Sequence, residues 1–422
     1  MAGEEPAFGQ ALAAAHRTSD SLLRDATHGE RARVSYLELF FDLVYVFAIT
    51  QLSHFLLEHH GWAGLAQGAV MFFAVWWAWM YTTWASNWAD PNRLMVRIML
   101  LLVMLASLVM AITMSRAFGV GAAVFAGCYV TIQVGRTLFM AWAMRETERG
   151  RRNMLRIAAW FAISGLGWLM GALEDEPLYR MIWWAAAIAF EYAGPFAGFR
   201  LPFLGRSTPE DWNISGAHMA ERSALFIIIA LGEGIIVTGA TVASRPFDTT
   251  GAIAFLLAFA GSALMWWVYF DVGAERGSHR IETHAEPGRV ARNAYTYQHI
   301  PIVGGIVMGA VADELLLAHP DRVASEALIA FQCLGMIAFL VGVGLFKRPA
   351  SALSNFPLSH TIGLGLFAAL GLAAWLVGLS AIVLVALSNA ILLSVATWEW
   401  VSYHGGWTER LNRLVPGRRR ST

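Results

Sequence analysis

The sequence predicts an all-α integral membrane protein of about twelve transmembrane helices, arranged as two parallel six-helix repeats. Three observations predict it. Of 422 residues, 57% are hydrophobic and only 14% charged, with 18 tryptophans, a balance foreign to soluble domains of this length. Apolar segments of roughly 20 residues, enough to cross the hydrocarbon core, recur from about residue 37 to about residue 400. The rare polar residues inside these segments also return in the same order in the second half.

Taken in order, the spans read 37–58, 64–86, 94–115, 119–143, 157–173, 179–199, 218–242, 249–271, 293–314, 324–346, 358–378 and 380–401. A barrel would show alternating ten-residue strands, which are absent; helices satisfy every backbone amide internally. The loops then sort by charge. Of 30 Lys and Arg, 24 fall in or beside the N-terminal tail, the loops after even-numbered spans and the C-terminal tail, whereas Arg116, Arg180, Arg245 and Arg322 alone fall on the other side. Both termini are therefore expected in the cytoplasm. Arg136 and Arg222 remain, inside spans.

The first 34 residues lack an apolar core ahead of a small-residue cleavage site, so no signal peptide is read there and the first span is expected to direct insertion. The tail from residue 404, with Arg410, Arg413 and "PGRRRST", suits anionic headgroups rather than nucleic acid. Cys128 and Cys333 lie in apolar spans and imply neither a disulfide framework nor a metal site. Net charge is zero. The domain reading is a tail (1–34), a first repeat (35–200), a linker (201–217), a second repeat (218–403) and a basic tail (404–422).

The repeat rests on four ordered correspondences: Glu38 with Glu221, Trp76 and Trp77 with Trp266 and Trp267, Gln133 with Gln332, and Glu191 with Glu399. Six helices per half give both halves one orientation, related by an axis near the membrane normal, and their interface is the expected place for a pathway.

On a helix at about 100° per residue, Glu38, Asp42, Tyr45, Ile49 and Ser53 share one face. A carboxylate at membrane depth is costly, so this face must meet protein or a water-filled cavity. The seventh span carries His218, Glu221, Arg222 and Glu233 within about a third of its circumference. Gly232 and Gly234 flank Glu233, where small residues allow close backbone approach or a local break. Glu191 and Glu399 add an acid from the last span of each repeat, and "YTYQHIPIVGG" sets His299 two residues before Pro301. Such carboxylates and histidines resemble a proton or cation relay; the plainer reading is a set of structural ion pairs, with Arg222 against Asp42 or Glu191. "HFLLEHH", with His54, Glu58, His59 and His60, has metal-ligand residue types without the spacing of a zinc helix. No phosphate loop, nucleophile elbow or dinucleotide fingerprint is present, so no catalytic residue, metal or cofactor is assigned.

Three stretches carry a resemblance. "ELFFDLVYVFAITQLSHFL", "HMAERSALFIIIALGEGI" with Glu221, Arg222, Gly232 and Glu233, and "YQHIPIVGGIVMGAV" with His299 and Pro301 resemble the motifs of the bacterial low temperature requirement protein A family. The resemblance implies a multi-pass inner-membrane protein linked to growth in the cold, and no particular chemistry. "FFDLVYVFAIT" also resembles, more distantly, the "FSD" helix of the two-repeat, twelve-helix potassium channel family, with Phe41 where that motif has serine.

These readings support a transporter or channel in which Asp42, Glu221 and Glu233 carry protons or cations. The alternatives are a structural or regulatory protein for cold adaptation, or an intramembrane enzyme acting on lipid through His299, His54 and the same acids. The expected partners are the lipid bilayer and a small ion or solute, not nucleic acid; the sequence leaves the ion and the oligomeric state open.

Overall fold

The computed structural model describes residues 21–24, 34–59, 61–208, 211–212, 215–243, 248–271, 290, 292–348 and 356–403. These form twelve long helices and no β-strand. In chain order they are α1 (Tyr36–Glu58), α2 (Trp62–Trp88), α3 (Leu94–Ile112), α4 (Ala122–Ala143), α5 (Glu148–Leu173), α6 (Pro177–Ala197), α7 (Gly216–Ala243), α8 (Thr249–Phe270), α9 (Arg292–Ala318), α10 (Glu326–Lys347), α11 (Leu358–Val377) and α12 (Ala381–Tyr403).

Eleven of the twelve are long and apolar enough to span a bilayer. The other, α6, has the length, but Arg180, Glu191 and its tryptophans and tyrosines lower its hydropathy. The chain is thus a multi-pass, all-helical membrane protein.

Local chemistry sets several ends. Pro177 opens α6, where a missing N–H costs nothing, and Gly198 closes it in the left-handed region at φ 60°. The side chains of Asp248 and Ser325 cap α8 and α10 by accepting from Gly251 N and Leu328 N. Helix α5 begins at Glu148, nine residues before the apolar span read from sequence. Glu and Arg are good helix formers, and Glu148 pairs with Arg152 one turn on at 2.5 Å.

The chain divides into two compact units, one of Met1–Leu52 and Ala63–Arg222, the other of Ser53–Trp62 and Ser223–Thr422. In the first, α3 packs on α4, α4 on α5 and α5 on α6. Tyr192 of α6 reaches α2, donating to Phe73 O at 3.0 Å and stacking on Trp77 with ring centroids 3.8 Å apart. Trp76, Trp77, Trp79, Trp168 and Trp184 are buried in its core.

In the second unit α9 packs on α10, α10 on α11 and α11 on α12, while Asn389 of α12 donates to Leu257 O of α8 at 2.8 Å. Helices α9 and α10 touch almost backbone to backbone. A Cβ on Gly305 would lie 2.6 Å from Gly335 O, so close packing in hydrocarbon depends on both glycines. The tryptophan correspondence does not extend to environment: Trp76 and Trp77 are buried, whereas Trp266 is 51% exposed. Residues 404–422, His60 and the side chain of Glu233 lie outside the described residues, as do most of the N-terminal tail and parts of the 201–217 linker.

Candidate functional site

Helix α1 starts where "SYLE" supplies a reciprocal cap. Ser35 Oγ accepts from Glu38 N at 3.3 Å, and Glu38 Oε2 accepts from Ser35 N at 2.8 Å. The capping role aims the Glu38 carboxylate back toward the helix start, where three basic side chains meet it. Arg24 Nη2 lies 3.1 Å from Oε2, His218 Nε2 2.8 Å from Oε1, and Arg222 Nη1 3.3 Å from Oε1. Ser35 Oγ donates a further bond at 2.9 Å.

One turn deeper, Asp42 Oδ1 accepts from Arg222 Nη2 at 2.5 Å and from Trp79 Nε1 at 2.8 Å. Its Oδ2 is buried and has no hydrogen-bond partner among the described residues. Glu38 and Asp42 are both wholly buried, and Arg222 is 1% exposed. The Arg222 guanidinium also donates to Ser86 Oγ at 3.3 Å and lies over the rings of Phe41 and Trp79. Two carboxylates thus face two guanidiniums, so the cluster balances its charge internally, as buried ions require.

The tautomer of His218 follows from its neighbours. Ser215 N can only donate, so the Asn87 oxygen it meets at 3.0 Å is Oδ1 and the Asn87 amide orientation is set. Asn87 Nδ2 then donates to Ser215 O at 3.1 Å and to His218 Nδ1 at 3.2 Å. With Nδ1 accepting, His218 is neutral, and its proton sits on Nε2, pointed at Glu38.

Glu191 is held differently. Tyr129 Oη donates to it at 2.6 Å, Trp168 Nε1 at 3.1 Å and Gln133 Nε2 at 3.5 Å, with Ser164 Oγ a fourth donor. Gln133 Oε1 in turn accepts from Arg136 at 2.6 Å, and Arg136 also donates to Ala78 O and Thr82 Oγ1. A π-helical turn, Thr131–Gly135, lies immediately before Arg136 and contains Gln133.

In the second unit Glu399 Oε2 pairs with Lys347 Nζ at 2.6 Å, and His360 Nδ1 lies 3.3 Å from Oε1. Gln332 donates to Ser388 Oγ at 2.7 Å. His299 opens the α-helical part of α9, which follows a π-helical turn, Arg292–Tyr297. Its Nδ1 meets Ala294 O at 2.8 Å and so carries the proton, leaving Nε2 to accept from Tyr269 Oη at 2.8 Å. Pro301 falls in the first turn of the α-helical part, directly after the π-helical turn.

The residues read from sequence therefore separate into groups. Glu38, Asp42, His218 and Arg222 come together; Glu191, Glu399 and His299 each stand in other polar groups. Glu221 is exposed and accepts from Val34 N at 3.3 Å, turned away from the face that buries Arg222. Helix α7 runs unbroken through Gly232 and Gly234, and Gly234 faces Ala310 of α9 instead. His54 lies 3.9 Å from Glu314, and His59 stacks on Phe55. Arg180, counted with the loop cations, is instead buried, its guanidinium donating to Gly171 O at 3.2 Å. Among the described residues no group of three or more His, Cys, Asp or Glu could hold a metal ion.

Sequence reading missed Arg24, Asn87, Trp79 and Arg136 as members of these groups. Only Arg136, a cation within an apolar span, carried a signal that could have marked it.

Residues 33–397 match the model of the bacterial low temperature requirement A protein. The chain is 38% identical over 400 residues to an uncharacterized protein of Rhizobium meliloti (strain 1021), covering 93% of this chain and 96% of that relative. No solved structure matches. The motif around Glu38 and Asp42 and the motif around His218 and Arg222 both fall within the matched span, and the chain belongs to the bacterial low temperature requirement protein A family.

Proposed function

We propose that this protein is a transporter or channel for protons or a small cation, with Asp42 as the acid that exchanges its partner during transfer. The observation that supports it most directly is the asymmetry of Asp42: Oδ1 holds Arg222 and Trp79, while Oδ2 is buried without a hydrogen-bond partner among the described residues. A proton or cation taken at Oδ2 neutralises the charge that holds Arg222. Its guanidinium then shifts its weight to Glu38 Oε1, already 3.3 Å from Nη1, without leaving the cluster. Glu38, with its cap and three basic neighbours, is the anchor; Asp42 is the variable member. In this reading the chain is two six-helix repeats, 35–200 and 218–403, in a bacterial inner membrane with both termini cytoplasmic.

The test is ion flux into liposomes carrying purified protein and a trapped pH dye, under imposed proton or potassium gradients. Asp42→Asn should abolish a flux that the wild type supports while leaving the tryptophan-monitored unfolding transition cooperative. Equal flux in both proteins would overturn the assignment of Asp42.

A structural or regulatory role is favoured by one observation, the internal charge balance of the cluster. It predicts that Asp42→Asn lowers stability and changes no flux.

A further inference from the structure

A groove of about 510 Å³ lies between α3 and α4 in the first unit, a volume typical of ligand cavities. Ile98, Leu102 and Ala106 line it from α3, and Ile132, Gly135 and Trp142 from α4. Its length from Met95 to Ala106 is about 16 Å at 1.5 Å per residue. The rim is open: Ile98 is 43%, Leu102 61% and Trp142 46% exposed, so the groove opens on the outer surface of two membrane-spanning helices.

Two local features shape it. The π-helical turn ends at Gly135, and a Cβ built there would meet nothing within 4 Å, so the missing side chain is part of the open volume. At the Trp142 end, the exposed Arg145 guanidinium lies 5.1 Å from the centre of the Trp142 ring and makes a bond to Trp142 O at 3.4 Å. The other cation of the groove, Arg136, is buried in its wall and bonded inward to Ala78 O, Thr82 and Gln133. An apolar channel of chain length with the exposed Arg145 at its Trp142 end is complementary to an anionic amphiphile.

We infer that this groove binds an acyl chain of an anionic phospholipid, with the lipid phosphate held by Arg145 beside Trp142. The inference is independent of the ion-path reading, because no residue of the Glu38 and Asp42 cluster lines the groove.

The test is native mass spectrometry of the full chain in neutral detergent, titrated with phosphatidylglycerol or phosphatidylcholine. Wild type should retain one phosphatidylglycerol in preference to phosphatidylcholine. Arg145→Gln should weaken phosphatidylglycerol binding about fivefold, the effect of one interfacial cation, and weaken phosphatidylcholine, whose choline offsets the charge of the same phosphate, by less. Gly135→Leu should abolish retention of either lipid while holding or raising the unfolding temperature, since leucine is the better helix former and meets open space. If that variant fails to fold, Ala106→Leu blocks the groove from the opposite wall. Equal affinity for the two lipids in wild type, or undiminished binding in a folded groove-filled variant, would overturn the inference.

Discussion

Arg222 is the residue on which the buried cluster turns. It touches Asp42, Glu38 and Ser86 from one guanidinium, so Arg222→Ala leaves Asp42 with Trp79 and no cation among the described residues, while Glu38 keeps Arg24 and the neutral His218. Breaking a buried pair from one side costs about 3–5 kcal/mol, and unfolding in detergent should show a loss of that order. Adding Asp42→Asn to that variant should recover part of it, the signature of a coupled pair; strict additivity would deny the coupling. A second prediction concerns proton placement. In spectra of ¹⁵N-histidine-labelled protein, His218 should report the Nε2-protonated form and His299 the Nδ1-protonated form, each set by a backbone or amide group of fixed polarity. Identical tautomers at the two sites would contradict the hydrogen bonding described. The acids of this site were legible because a carboxylate is rare in hydrocarbon. The "SYLE" cap is legible too, as a Ser-x-x-Glu pattern before an apolar run. Arg24 carried no signal, since a cation in a polar tail is unremarkable until folding brings it 3.1 Å from Glu38.

At the scale of elements, the helices followed from hydropathy, and their departures from ideal form did not. The π-helical turn in α4 changes the angular register between Tyr129 and Arg136, so that Tyr129 and Gln133 reach Glu191 while Arg136 reaches α2. Deleting one residue from Thr131–Gly135 should return the segment to α-helix with Arg136 kept on its present face, because a π turn absorbs one extra residue, but should displace Gln133 from between Arg136 and Glu191, seen as a lower unfolding temperature. A deletion variant as stable as wild type would show that the π turn is dispensable. The contact of α9 with α10 offers the opposite test, of volume alone. Gly335→Val places its side chain against Met308, whose Cβ is already 2.9 Å from where a Cβ at 335 would sit. Overpacking of this kind costs about 1–3 kcal/mol and should appear as a lower unfolding temperature. Apolar periodicity is blind to both features, because a single-residue bulge leaves mean hydropathy unchanged and glycine scores as neither apolar nor polar.

For the whole molecule, the asymmetry of basic residues makes a topological prediction. With Cys128 and Cys333 replaced by serine, Arg116→Cys and Arg322→Cys should react with a membrane-impermeant maleimide added to intact cells. Arg206→Cys should react only after permeabilisation. Labelling of all three from outside would refute cytoplasmic termini. Within each unit the last helix meets the second, α6 on α2 through Tyr192 and α12 on α8 through Asn389, a parallel that supports the proposed duplication. The ion partners of the last-helix acids diverge, however. Glu399 has Lys347, whereas Glu191 is held by neutral donors with Arg136 one residue removed.

The number and class of the helices, their approximate limits and the family followed from sequence alone, because a bilayer demands long apolar segments and rejects charge wherever it lacks a reason. The partners of each buried ion were decided only by tertiary structure. Arg222 could have met Glu191 as well as Asp42, and nothing in either helix distinguishes the two. A helix face specifies which residues point the same way, but pairing depends on which neighbouring helix is packed against that face. That packing arises from side-chain shape and glycine placement summed over many contacts, such as Gly305 against Gly335. The same reason explains why Glu221 and Arg222, adjacent in the chain, have opposite fates, one exposed and one buried within a neutral cluster of two acids and two arginines.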